Sequence, residues 1–284
     1  MMRCAGSKTS SQKAFEDARV IEQAPAKLNL ALHVRARRAD GYHELETLFA
    51  FVAFGDRVTV TPADADSFAM TGPFAAGLAG EGDNLVTRAA ARFVERFGGG
   101  AHAITLDKHV PVASGIGGGS ADAAATLRAL GRLHGVADEK MFDIADALGS
   151  DVPACLLGRT AIGRGRGEQL EVVPGMPDTP VLLFNPGVAV STAEVFRRWD
   201  GVDHGALGSD PLAGRNDLEA PARAIAPVIG DVLELLAAQP GATLVRMSGS
   251  GATCFALFDS EAACAAAAVA LARPGWWVQP TKLT

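Results

Sequence analysis

The chain of 284 residues has little of what builds covalent or metal frameworks. Its four cysteines, Cys4, Cys155, Cys254 and Cys264, stand far apart and form no CxxC pair. That spacing speaks against a zinc ribbon or a disulfide scaffold and suits a reducing, cytoplasmic setting. Long hydrophobic runs are also missing. The longest, near Ala262–Ala272, falls short of the ~20 residues that a membrane span needs. The first residues, MMRCAGSKTSSQKAFEDARV, hold no apolar core of the signal-peptide type. Positive charge is in deficit, with 26 Lys and Arg against 32 Asp and Glu and a net charge of −6. Broad binding to nucleic acid or to acidic membranes is therefore not expected. A local anion site is still possible, because backbone dipoles and one or two lysines suffice for it. Tyr42 is the only tyrosine. No lysine precedes Ser120, so the GxxxxGK[ST] phosphate loop is absent. The dinucleotide fingerprint and the protein-kinase motifs are absent as well.

Glycine is plentiful, and it clusters. Within Pro111–Leu130, PVASGIGGGSADAAATLRAL, four glycines (Gly115, Gly117, Gly118 and Gly119) precede Ser120, and a helix-forming run starts at Ala121. Such a loop lets a ligand approach the backbone. The helix after it turns unpaired N–H groups and its positive dipole end toward the loop. Together they make an anion site, most simply for phosphate. Asp122, in the first turn of that helix, suits the dipole but would repel a bare phosphate. Either a magnesium ion or an ordinary capping role would explain it.

The composition, 48% hydrophobic and 20% charged, supports a large core and two domains. Residues 1–20 read as a disordered polar extension, 21–174 as an N-terminal domain and 175–284 as a C-terminal domain. The prolines between Pro174 and Pro180 mark the boundary. From Lys27 the pattern alternates, with Leu28, Leu30 and Leu32 on one strand face. Lys27 and Asn29 share the other face, either to hold a charged or hydroxylated ligand or as two solvated side chains. Asp40-Gly41 predicts a turn, followed by Tyr42 and His43. That pair would stack on and hydrogen-bond a base or sugar, or simply cap a core edge. Strands are expected over Glu44–Phe54 and Asp56–Pro62, a loop over Ala63–Gly82, and a helix from Leu85 capped by Asp83 or Asn84. Asp151, in GSDVP, is a helix cap or a placed carboxylate. A second small-residue loop, Ser248–Ala252, joins two strands and is expected to line the same cleft as the first.

Three segments, PAKLNL (Pro25–Leu30), PVASGIGGGSADAA (Pro111–Ala124) and MSGSGA (Met247–Ala252), resemble in order the three motifs of the GHMP kinase superfamily. DGYHEL (Asp40–Leu45) and GSDVP (Gly149–Pro153) narrow the likeness to its kinases of a cytidine-diphosphate-linked sugar alcohol. The resemblance runs from Ala24 to the C-terminus. It implies an α+β, two-domain fold, with an S5-like N-terminal and a ferredoxin-like C-terminal domain and the active site in the cleft between them. It implies ATP-dependent phosphorylation of the 2-hydroxyl of 4-diphosphocytidyl-2-C-methyl-D-erythritol, in the non-mevalonate isoprenoid pathway. The alternatives are a homoserine or mevalonate type of kinase, or a nucleotide binder without catalysis.

The resemblance also distributes roles. Asp151 matches the general base and Lys27 its partner. Pro111, Val112, Ala113, Ser114, Gly115, Ile116, Gly117, Gly118, Gly119, Ser120 and Ala121 match the ATP loop, with Asn84 and Lys108 near the nucleoside. Asn29, Tyr42, His43, Thr192 and Phe196 match the substrate side, with cytosine between Tyr42 and Phe196. Ser120 is the candidate ligand for Mg2+. The expected partner is a small molecule carrying cytidine diphosphate, handled by a cytoplasmic monomer or homodimer. Ala113-Ser114 stands where relatives often carry further glycines, which would stiffen the loop.

Overall fold

The computed structural model describes residues 18–78 and 84–284. The extension expected over residues 1–20 falls mostly outside them, as does Asp83. Strand β1 (Val20–Arg37) pairs antiparallel along its whole length with β2 (His43–Ala63), from Val20 opposite Val60 to Arg37 opposite His43. The turn between them follows from Asp40-Gly41. Gly41 takes φ 87°, and Asp40 accepts a hydrogen bond from the Tyr42 amide at 3.1 Å.

β2 is one strand where two were expected. Gly55 lets it run on: a Cβ there would lie 2.1 Å from the Ala24 carbonyl oxygen, so only glycine passes beside Pro25. β3 (Ser67–Thr71) lies where a loop was expected, and it adds in parallel to β4 (Ala101–Asp107). β5 (Ala161–Gly165) and β6 (Gln169–Val172) complete a six-stranded sheet, ordered β3-β4-β2-β5-β6 with β1 also on β2.

Four helices pack with this sheet: α1 (Leu85–Phe97), α2 (Gly118–His134), α3 (Phe142–Leu148) and α4 (Val152–Leu157). α2 is central. Its alanines 121, 123, 124, 125 and 129 are buried with Leu127 and Leu130, which is how a helix apolar on most sides must sit. It starts at Gly118 rather than at Ala121, because Gly117 at φ 67° serves as its N-cap. Asp122 therefore lies beyond the first turn.

The second sheet orders β10 (Trp277–Lys282), β7 (Pro180–Asn185), β9 (Cys254–Phe258) and β8 (Ala242–Met247), all antiparallel. With it go α5 (Thr192–Arg197), α6 (Glu219–Ile225), α7 (Val228–Ala237) and α8 (Glu261–Leu271). β7 and β9 are apolar on both faces. Leu182, Phe184, Ala256 and Phe258 join one core with Val232, Leu236 and Leu271 of the helices. Val181, Leu183, Phe255 and Leu257 join another with Ala26, Leu28 and Leu30 of β1.

The β1 ribbon thus lies on the second sheet through its even-numbered residues, which turns Lys27 and Asn29 the other way. Both are buried, not solvated. A bulge between Asn29 and Ala31 shifts the parity, so Leu32 belongs to the other core and not with Leu28 and Leu30.

Candidate active site

A cavity of about 410 Å³ opens between the two sheets. β1 lends it Lys27 and Asn29, β2 lends Thr47 and Phe49, and the glycine loop with the start of α2 forms one wall. Ser150, Asp151, Arg166, Thr192, Phe196, Gly249 and Ser250 close it from other elements.

The glycine loop is held in place by both sheets. The Lys27 amide donates to the Ile116 carbonyl at 3.0 Å. Ser248 Oγ donates to the Gly115 carbonyl at 3.1 Å and accepts from the Asn29 amide at 3.1 Å. Gly115, at φ 77°, touches the second small-residue loop so closely that a Cβ would lie 2.5 Å from the Gly251 oxygen. The two loops therefore interlock, and Gly249 and Ser250 line the cavity as expected. Two further glycines make room for lysines: a Cβ would meet Lys27 Cε at 3.0 Å from Gly117, and Lys108 Nζ at 3.1 Å from Gly118. No side chain caps the first turn of α2, and Gly118, Gly119 and Ser120 of that turn line the cavity; uncapped helix starts of this kind suit anions.

Lys27 Nζ lies 2.8 Å from Asp151 Oδ2 and donates to Asn29 Oδ1 at 2.9 Å. It also sits 5.4 Å from the centre of the Phe49 ring. Asp151 precedes α4, but its side chain makes no capping hydrogen bond. Of the two local readings, the placed carboxylate is the one found. Cys155, one turn on, is buried, and burial pushes its thiol up to about 12, so it is inert beside this pair.

Lys108 is buried between Asp56 Oδ2 at 2.5 Å and Asp122 Oδ2 at 2.7 Å. Burial opposes its charge, but the Asp122 and Asp56 carboxylates hold the ammonium above the usual lysine range. Burial pushes the Asp122 carboxyl up to about 8, with Lys108 working against the shift and Asp56 adding to it. Asp122 is thus neither a cap nor a free carboxylate. Asn84 caps α1, its side chain accepting from the Val86 and Thr87 amides, and it does not line the cavity.

At the other end, the His43 ring lies 4.8 Å from Phe196 and 5.6 Å from Trp199. Burial and then Arg37 lower its pKa, which keeps the imidazole neutral. Its Nε2 is buried with no hydrogen-bond partner among the described residues, and neither His43 nor Tyr42 is among the residues that line the cavity. Tyr42 is exposed, and the Arg166 guanidinium lies over its ring at 5.1 Å. Thr192 and Ser250 share a hydrogen bond of 2.8 Å between their hydroxyls.

The sequence reasoning missed Thr47, Ser150 and Arg166. Thr47 reads as an ordinary β-branched strand residue, and Arg166 as one polar residue in a turn. Only the pairing of distant strands brings them to the cavity.

Two stretches of the chain match family models: residues 84–159 match the GHMP kinases N-terminal domain, and residues 203–275 the GHMP kinases C-terminal. A 4-diphosphocytidyl-2-C-methyl-D-erythritol kinase of Rhizorhabdus wittichii is 56% identical, over 92% of this chain and 94% of that one. Another, from Novosphingobium aromaticivorans, is 51% identical over 90% of each. A crystal structure of 4-(cytidine 5'-diphospho)-2C-methyl-D-erythritol kinase superposes with a TM-score of 0.79 at 38% identity, over 93% of this chain and 98% of that one. A homoserine kinase from Cytophaga hutchinsonii shares the fold, with a TM-score of 0.71 at 19% identity, over 97% of this chain and 96% of that one. The α+β, two-domain architecture expected from the motifs is therefore the one found. The chain belongs to the GHMP kinases, ATP-dependent kinases of small molecules, and within them to the 4-diphosphocytidyl-2-C-methyl-D-erythritol kinase family.

Proposed function

We propose that the protein transfers the γ-phosphoryl group of ATP to the 2-hydroxyl of 4-diphosphocytidyl-2-C-methyl-D-erythritol. The observation that carries this reading is the Lys27–Asp151 pair, 2.8 Å apart in one cavity with an uncapped helix start. Asp151 takes the hydroxyl proton. The freed oxygen bonds to the γ-phosphorus while the bond to the β–γ bridging oxygen breaks and ADP leaves. Lys27 holds Asp151 in place at 2.8 Å and offsets charge on the transferring group. The reaction asks mainly for positioning and electrostatics, which one carboxylate, one ammonium and a backbone cradle supply.

Residues Pro111–Ala121 bind the ATP phosphates, with Lys108 bracing the start of α2 and Asn84 fixing α1 near the nucleoside. Asn29 and Thr192 hold the sugar alcohol. Cytosine lies at Tyr42 and Phe196, with the unpartnered His43 Nε2 reading its polar edge.

Among the described residues no cluster of three His, Cys, Asp or Glu could hold a metal by itself. The cavity does fit a Mg2+ that arrives on the ATP phosphates, for which the Ser120 hydroxyl is a hard oxygen donor. That ion would supply charge neutralisation on the phosphates.

The two domains are taken as residues 21–174 and 175–284. The working place is the cytoplasm, as a monomer or homodimer. Neither nucleic acid nor membrane is a partner. The net charge of −6 supports this, and no described helix is long and apolar enough to cross a membrane.

The test is ADP release with the cytidyl substrate, homoserine, mevalonate or no acceptor. Turnover with the first alone is expected, and its absence there refutes the reading. Asp151→Asn is expected to lower kcat by about a hundredfold or more while ATP still binds. Unchanged turnover would remove Asp151 from the role of base.

A further inference from the structure

We propose that Arg166 is a specificity residue that binds the diphosphate of the cytidyl substrate. The inference rests on the substrate reading above. Such a substrate has a fixed covalent order: base, ribose, diphosphate, polyol. With the base at Tyr42 and the reacting hydroxyl at Asp151, the diphosphate must lie between them, and it carries two or more negative charges that need a cation.

Three cationic side chains line the cavity among the described residues: Lys27, Lys108 and Arg166. The first two are committed. Lys27 is held by Asp151 and Asn29, and Lys108 is buried between two carboxylates. Arg166 remains.

Its position in the fold suits the task. Arg166 sits at the tip of the hairpin joining β5 to β6, between Gly165 at φ 72° and Gly167 at φ 113°. A Cβ on Gly167 would lie 3.9 Å from the Ser150 carbonyl, so the tip adjoins the turn that carries Asp151. The guanidinium itself reaches over the Tyr42 ring at 5.1 Å. The hairpin tip therefore adjoins the turn of the reacting carboxylate, and its arginine reaches the base platform.

The fork is also held in advance. Nη2 donates to Asp146 Oδ1 at 2.5 Å, and Nε lies 3.8 Å from Glu168 Oε2, which also accepts from the Arg166 amide at 2.6 Å. Nη1 has no partner among the described residues and is open to an anion. Asp146 is 46% exposed, so water weakens that pair. A planar fork meets phosphate oxygens through two parallel hydrogen bonds, which a lysine cannot do.

The competing account makes Arg166 a strut that only supports Tyr42. Binding of CDP and of cytidine separates the two, measured by calorimetry with the ATP side filled by a non-hydrolysable ATP analogue. Cytidine meets the base platform alone, whereas CDP adds the phosphates. Arg166→Gln is expected to weaken CDP binding roughly ten- to a hundredfold and to leave cytidine within about twofold. The KM for the cytidyl substrate is expected to rise by the same factor, with kcat and the KM for ATP held. Arg166→Lys is expected to recover part of the CDP affinity.

Equal losses for CDP and cytidine would reduce Arg166 to a strut. Full CDP affinity in the variant, in an enzyme that still turns over the cytidyl substrate, would overturn this inference alone. A wild-type protein that binds neither CDP nor cytidine and phosphorylates no cytidyl substrate would overturn the substrate reading, and the inference with it.

Discussion

Thr47 sets the direction in which the lysine of the site points. Its hydroxyl donates to the Ala31 carbonyl at 2.7 Å, so it can only accept from Asn29 Nδ2, which lies 2.7 Å away. That fixes the Asn29 amide with Oδ1 toward Lys27 Nζ, and Lys27 in turn toward Asp151. Thr47 touches no reacting atom and acts through Asn29. Thr47→Val keeps the shape but leaves the Asn29 amide without its acceptor, free to flip its donor side toward the ammonium. The expected result is a kcat lower by about tenfold, with the KM for ATP little changed and activity restored in Thr47→Ser. A Val variant as active as wild type, or a Ser variant as poor as Val, would show that the hydroxyl does not orient the amide.

At the scale of the element, α2 joins the phosphate site to the core. Its start is seated on Lys108, and Lys108 on Asp56 and Asp122. Asp56 Oδ1 also accepts from the His109 and Val110 amides, at 2.5 and 2.8 Å, so this carboxylate ties down the segment between β4 and the glycine loop. Burial raises the Asp122 pKa from 3.8 to about 8, so folding retains a proton there that the unfolded chain gives up. The contribution of Asp122 to stability therefore declines as pH rises from about 4 to about 8. Asp122→Asn carries no such proton. Its melting temperature is expected to gain on the wild type across that window and to run parallel above it. A variant that falls further behind as pH rises would mean that Asp122 is ionised and stabilising.

The same helix marks what the sequence could and could not disclose. Alternation and helical spacing announced β1, α1 and α2, because burial imposes those periods locally. The start of α2 lies earlier than expected, since Gly118 and Gly119 are poor helix formers by propensity; a Cβ on Gly118 would crowd Lys108 Nζ, whereas Gly119 meets only Leu85 at 3.5 Å. β3 was missed because it is short and packs against one neighbour. Local sequence leaves Asp151 open between a cap and a placed carboxylate because its partner, Lys27, lies on a strand at the far end of the domain in sequence.

The whole molecule is bound by a core that neither sheet owns. Phe255 and Leu257 of β9 and Val181 and Leu183 of β7 are buried against Leu28, Leu30 and Ala50 of the β1–β2 ribbon. Val52 and Leu283 bridge the same seam. A site assembled from both sheets needs this rigidity, since Lys27 and Ser248 must keep their hold on the glycine loop from opposite sides. A seam this apolar leaves each half with an exposed core face if the other unfolds, so the halves are expected to melt together. Calorimetry should show one transition. Phe255→Ala removes a fully buried ring from the seam and is expected to cost about 3–5 kcal/mol. That would lower the single transition by on the order of 10 °C without splitting it. Two separate transitions in the wild type, or a loss in the variant confined to one of two, would mean that the domains are stable apart and that the seam only aligns them.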